Sequence, residues 1–204
     1  PRRQRQMCIR DSVKGISLFL IPKILVNDDG SLGDRNGVTC VSIEEKMGVH
    51  GSPTCVLSFD NSVGYLVGEP HKGLEAMFSM MNNERIAVGM QGLGVAEISY
   101  QNALLYAKDR LQGRDLKGAK KPSEEADPLL VHPDIRRMLL RAKALIDSSR
   151  MLSAWTALAI DKSVKDPDEK VRKANHDLVE LMTPIIKSIL TDYGVEISSE
   201  MLQI

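Results

Sequence analysis

The run Asn82-Asn83-Glu84-Arg85 sets a carboxylate beside a guanidinium inside an otherwise apolar stretch. A carboxylate within hydrogen-bond reach of an activated C–H can take its proton. A guanidinium can hold an anionic ligand through charge-assisted bonds. The plain alternative is a partly exposed pair, with the Arg85 stem along the stripe of Leu74, Met77, Phe78 and Met81 and Glu84 in water. Residue types alone leave both open. His50, His71, His132 and His176 lie in separate stretches with no second ligand at helical spacing, and Cys8, Cys40 and Cys55 lack metal-binding spacing. No metal site is expected, and no nucleophile-elbow sequence supports Ser-His-Asp chemistry. Met77, Met80, Met81 and Met90 read as core filler, although thioethers also suit a flexible apolar ligand.

The elements that must position these groups change character along the chain. Residues 16–21, 38–43 and 54–59 are short β-branched or apolar runs separated by turn residues, the signature of antiparallel strands. Asn27-Asp28-Asp29-Gly30 predicts a turn. From Gly73 to about Leu111 apolar residues recur at spacings of three and four, which predicts one long helix. Gly89, Gly92 and Gly94 each cost that helix about 1 kcal/mol against alanine, so close approach of a neighbouring helix or a ligand should compensate. Residues 113–128 read as a solvated connection. A second helix should start near His132 with Pro133 as its first residue and run to about Ile160. A third should be capped by Asp166, carry Pro184 inside and end near Gly194, with Ser198 and Ser199 capping a fourth. The fold class is α+β: part of an antiparallel β domain followed by an antiparallel four-helix bundle whose fourth helix is only begun.

Composition excludes some functions. Lys plus Arg and Asp plus Glu each number 27, so no net field draws the molecule to nucleic acid or an anionic membrane. The odd cysteine count fits a reducing compartment, and the longest apolar run is of strand length, not the roughly 20 residues of a membrane span. No signal peptide is evident, and a cytoplasmic or organelle-matrix protein is expected. Residues 1–12 are polar and basic without a regular period, and Met7 to Ser12 resembles the translation of a sequencing adapter, so they are expected to be a non-native leader.

Three longer strings carry a resemblance: KMGVHGSPTCVLSFDN at residues 46–61, YLVGEPHKGLEAMFSMMNNERIAVGMQGLG at 65–94, and YAKDRLQGRD at 106–115. Together they resemble the acyl-CoA dehydrogenase superfamily, more narrowly its bacterial long-form members of the methylmercaptopropionyl-CoA dehydrogenase type. The likeness extends over nearly everything after Ser12. It implies that residues 13–68 are the second half of a β middle domain, that 69–204 are an incomplete helical domain, and that the chain is a fragment of a bacterial cytoplasmic enzyme. The implied chemistry is α,β-dehydrogenation of an acyl-CoA: a glutamate removes the α-proton, a hydride passes to N5 of FAD, and electron-transfer flavoprotein takes the electrons. A homodimer or homotetramer is implied as well. Related flavoproteins with other activities (nitroalkane oxidases, acyl-CoA oxidases, DNA-associated members) and a non-catalytic helical oligomerisation module are the rival readings.

Residue roles follow from the same resemblance. Arg85 matches the arginine of an Asp-x-x-Arg stretch that meets the CoA side of the substrate, whereas Asn82 stands in place of the aspartate. Arg110 matches an arginine that reaches the FAD pyrophosphate of a neighbouring subunit, although Gly113 replaces the phenylalanine of that motif. Gln203 matches an adenine-side FAD contact. Glu84 occupies one of two alternative positions for the catalytic base; the other lies beyond residue 204, and it is the one the most similar long-form members use.

Overall fold

A computed structural model describes residues 15–204, so the expectation for residues 1–12 lies outside the described residues. Contacts divide the chain into one unit ending at Met80 and another from Met81 to Ile204.

The first unit is built from antiparallel ribbons: β1 (Leu18–Leu20) pairs with β6 (Tyr65–Val67), β2 (Ile24–Val26) with β3 (Leu32–Arg35), and β4 (Val38–Ile43) with β5 (Cys55–Phe59). The expected turn joins β2 to β3: the Gly30 N–H donates to the Asn27 carbonyl at 2.9 Å, and Gly30 takes a φ of 82°. The Asp29 carboxylate fastens it by accepting from both the N–H and the hydroxyl of Ser31. Asn36 is the buried polar centre of this unit. Its amide donates to the carbonyls of Pro22 and Val63, both at 2.8 Å, and its oxygen accepts the Val63 N–H at 2.7 Å. One side chain thereby satisfies three groups from two loops, and its loss would leave them unpaired.

The long helix α1 spans Gly73–Asp109, α2 spans Pro133–Lys165 after a 3-10 turn at Leu129–Val131, and α3 spans Glu169–Met201. Spacing of three and four places Leu93, Ala96, Ala103 and Ala107 of α1 against Leu139, Ala142 and Ile146 of α2 and Ile186, Leu190 and Ile197 of α3 in one core. The alanines admit close backbone approach, and Gly92 carries this furthest. A Cβ there would stand 2.3 Å from the Leu190 carbonyl oxygen, so α3 crosses α1 directly over Gly92. Gly89 likewise faces Ile186, whereas a Cβ on Gly94 would meet nothing within 4 Å. Met80 and Met90 are exposed and are not core residues of these units.

Ion pairs add to the apolar contact. Arg141 of α2 forks onto Glu196 and Glu200 of α3, and Arg150 of α2 meets Glu97 of α1 at 2.7 Å. These forks fix helix register more than they stabilise, because their outer ends are solvated.

Three expectations for α3 need correction. Its N-cap is Asp168, which accepts from the Lys170 N–H at 2.8 Å, whereas Asp166 ends α2. Two aspartates flank Pro167, and the one next to the helix caps it. The helix does not end at Gly194, which is a crossing glycine whose Cβ would lie 2.9 Å from the Gly92 oxygen. Consequently Ser198 and Ser199 belong to α3, and Ser198 bonds back to the Gly194 carbonyl.

Candidate functional site

Arg85 lies near the beginning of α1 and is half-buried, as the apolar stripe beneath it requires. Its guanidinium reaches the Asn82 side-chain oxygen at 3.4 Å, so the structure brings these two residues together one helical turn apart. Glu84, the residue before Arg85, is exposed. Three residues beyond Arg85 an apolar groove of about 430 Å³ opens over the α1–α3 crossing, lined by Val88, Gln91 and Val95 from α1, by Thr191 and Val195 from α3, and by Leu202 just after it. A cation followed by an apolar groove along one helix suits a ligand with an anionic end and an aliphatic end.

Arg110 stands just past the other end of α1, 25 residues from Arg85, which is about 37 Å of helix at 1.5 Å per residue. The two arginines therefore cannot serve one small group. The Arg110 guanidinium is exposed and makes no ion pair or side-chain hydrogen bond among the described residues. Gln203, beyond α3, offers an exposed amide that donates to the Ser199 carbonyl at 3.4 Å. An uncommitted guanidinium and a loosely held amide are the donor types that a pyrophosphate and a heterocycle edge accept, so both fit a dinucleotide.

The loop after Arg110 is ordered around a carboxylate that the sequence did not single out. Asp127 is fully buried, and it accepts the N–H groups of Asp115 at 3.0 Å, Lys120 at 2.9 Å and Lys121 at 2.7 Å, with Arg114 at 3.5 Å. These donors hold its acid well below the usual range, at about 2, the Asp115 N–H first among them. The connection is solvated outside, as expected, but it is pinned inside. Gly113 adopts a φ of 71°, a conformation that glycine enters without strain, and His132 covers it while meeting the Gln112 carbonyl at 2.7 Å. Among the described residues no group of three His, Cys, Asp or Glu could hold a metal ion. No described helix is long and apolar enough to cross a membrane.

The profile of the acyl-CoA dehydrogenase C-terminal domain matches residues 71–204, which include every candidate residue above. The chain belongs to the acyl-CoA dehydrogenase family. It is 43% identical over 194 residues to the 3-methylmercaptopropionyl-CoA dehydrogenase of Ruegeria pomeroyi, covering 95% of this chain and 32% of that protein. A broad-specificity linear acyl-CoA dehydrogenase of Mycobacterium tuberculosis is 35% identical over 93% of this chain and 32% of its own length. The chain thus spans about a third of these relatives. Among solved structures, Caenorhabditis elegans ACDH-11 in complex with C11-CoA superposes with a TM-score of 0.75 at 20% identity, over 94% of this chain and 29% of that one. An acyl-CoA dehydrogenase complexed with FAD from Bacillus anthracis gives 0.61 at 20%, over 91% and 32%. At such identities these two speak for the fold, and they support the α+β class.

Proposed function

We propose that this chain is part of a flavoprotein that removes two hydrogens from the α and β carbons of an acyl-CoA thioester. The observation that carries this reading is Arg85, half-buried and joined to Asn82, one helical turn before Val88 of the α1–α3 groove and inside the family-matched region. Arg85 and Asn82 hold the polar CoA side, and the groove receives the acyl chain. Arg110 and Gln203 would hold FAD from a neighbouring subunit of a homodimer or homotetramer, and its chemistry there is to accept two electrons from the substrate. Electron-transfer flavoprotein is the proposed electron acceptor, the bacterial cytoplasm the proposed location, and residue 69 the proposed start of the helical domain.

Glu84 is exposed, whereas a base acting on an acyl α-proton works enclosed against substrate and cofactor. This supports placing the base at the family's other position, which the resemblance puts beyond residue 204, with Glu84 a supporting carboxylate. In the full-length enzyme, Glu84→Gln should lower turnover only a few-fold; a loss of about four orders of magnitude with FAD retained would instead make Glu84 the base.

Anaerobic addition of an acyl-CoA to the full-length protein should bleach its flavin absorbance, and an unchanged spectrum would overturn the proposed reaction. Arg110→Ala should weaken FAD retention about tenfold, because one charge-assisted contact is lost. Flavin released on dilution, read by fluorescence, measures this without reference to turnover.

A further inference from the structure

A second groove, of about 510 Å³, runs between α1, the 3-10 turn and α2, on a different flank of α1 from the groove beyond Arg85. Its volume lies within the roughly 300–1,000 Å³ of small-molecule sites. The floor is aliphatic: Leu104 of α1, Leu130 of the 3-10 turn and Leu139 of α2, with Leu140 on the wall at 67% exposure. Cations stand round this apolar surface, and their partners decide what the groove can take. Lys143 is neutralised by Asp147 at 2.6 Å, and Lys120 stands 3.8 Å from Asp115. Lys108 and Arg136 have no ion pair or side-chain hydrogen bond among the described residues.

Two uncommitted cations beside an aliphatic floor are complementary to an anion with an alkyl tail. Tyr100 is the single aromatic residue of the lining, which offers no stacking sandwich for a nucleobase. We propose that this groove is a binding site for an aliphatic carboxylate, a fatty acid, whose head lies between Lys108 and Arg136 and whose tail lies over Leu104, Leu130 and Leu139. The proposal is independent of the reading of Arg85, because the two grooves share no lining residue. It concerns a different ligand as well, a free carboxylate in place of a thioester.

Calorimetric titration of the chain with laurate below its micellar concentration tests this. Saturable binding is expected, about tenfold or more weaker in the double variant Lys108→Glu, Arg136→Glu, where attraction becomes repulsion. Both side chains are exposed, so the fold should hold, and far-ultraviolet circular dichroism checks it. The milder Arg136→Gln should show a smaller loss in the same direction. All titrations are made in a Val195→Glu background, whose charge closes the other groove to an aliphatic tail, so that the binding read belongs to this groove. Absence of saturable binding, or equal affinity in the charge variants, would each overturn the proposal. Displacement of laurate by inorganic phosphate at equal concentration would do so too, because a site for the head alone needs no aliphatic floor.

Discussion

Gly92→Ala should cost roughly 4 kcal/mol or more, the high end for one added methyl group, because nothing near it can move cheaply. The new Cβ would lie 2.3 Å from the Leu190 carbonyl oxygen, 2.8 Å from its carbon and 2.9 Å from the Thr191 Cα. All three are backbone atoms of α3. A flexible side chain could turn aside, but a helix backbone can only withdraw as a unit, and that withdrawal opens the core around Leu190 and Ile186, both fully buried. Gly94→Ala, two residues on, is the internal control. It meets nothing within 4 Å, so the alanine should stabilise α1 by about 0.5–1 kcal/mol through helix propensity alone. Urea denaturation of the chain and the two variants measures both. Equal effects from the two substitutions would show that α1 and α3 do not meet at Gly92 in solution.

The second large effect is expected at Asp127, in acid. Its carboxyl is held at about 2 against an ordinary value of 3.8, so the folded state prefers the charged form. A depressed acid contributes stability that is fully present above about pH 4 and is lost as the pH falls through the folded value near 2. The chain should therefore show an acid-labile step between about pH 4 and pH 2 that Asp127→Asn lacks. At neutral pH the variant should already be loosened, since an asparagine offers one acceptor oxygen and an N–H₂ group to three converging N–H donors. Amide exchange at Asp115, Lys120 and Lys121 should quicken at least about tenfold, while the α2–α3 core remains protected. Unchanged exchange at these three amides would mean that the carboxylate does not organise the loop.

The long elements were legible where period and length agree. Thirty-seven residues of α1 carry many repeats of the apolar stripe, and Pro133 marks the start of α2. The strands β4 and β5 were likewise visible as β-branched runs, but β2, β3 and β6 were not. Each has three or four residues, and Leu32-Gly33-Asp34-Arg35 has no β-branched residue; its strand conformation comes from pairing across the Asn27–Gly30 turn. Short elements are selected by partners, and a single sequence does not display partners.

The site divides in the same way. The chain's own residues determined the helical register that sets Asn82 and Arg85 one turn apart on α1, and they displayed Arg110 at the end of that helix. Only the tertiary structure decided that Glu84 stands in solvent, that Gly194 is a crossing point and not a helix end, and that Asp127 is a buried hub. The physical reason is the range of the interactions. Helix periodicity and first-turn prolines act within four residues, so one segment reveals them. Burial, helix crossing and the convergence of three N–H groups on one carboxylate depend on atoms brought together from distant parts of the chain, and they exist only once those parts have packed.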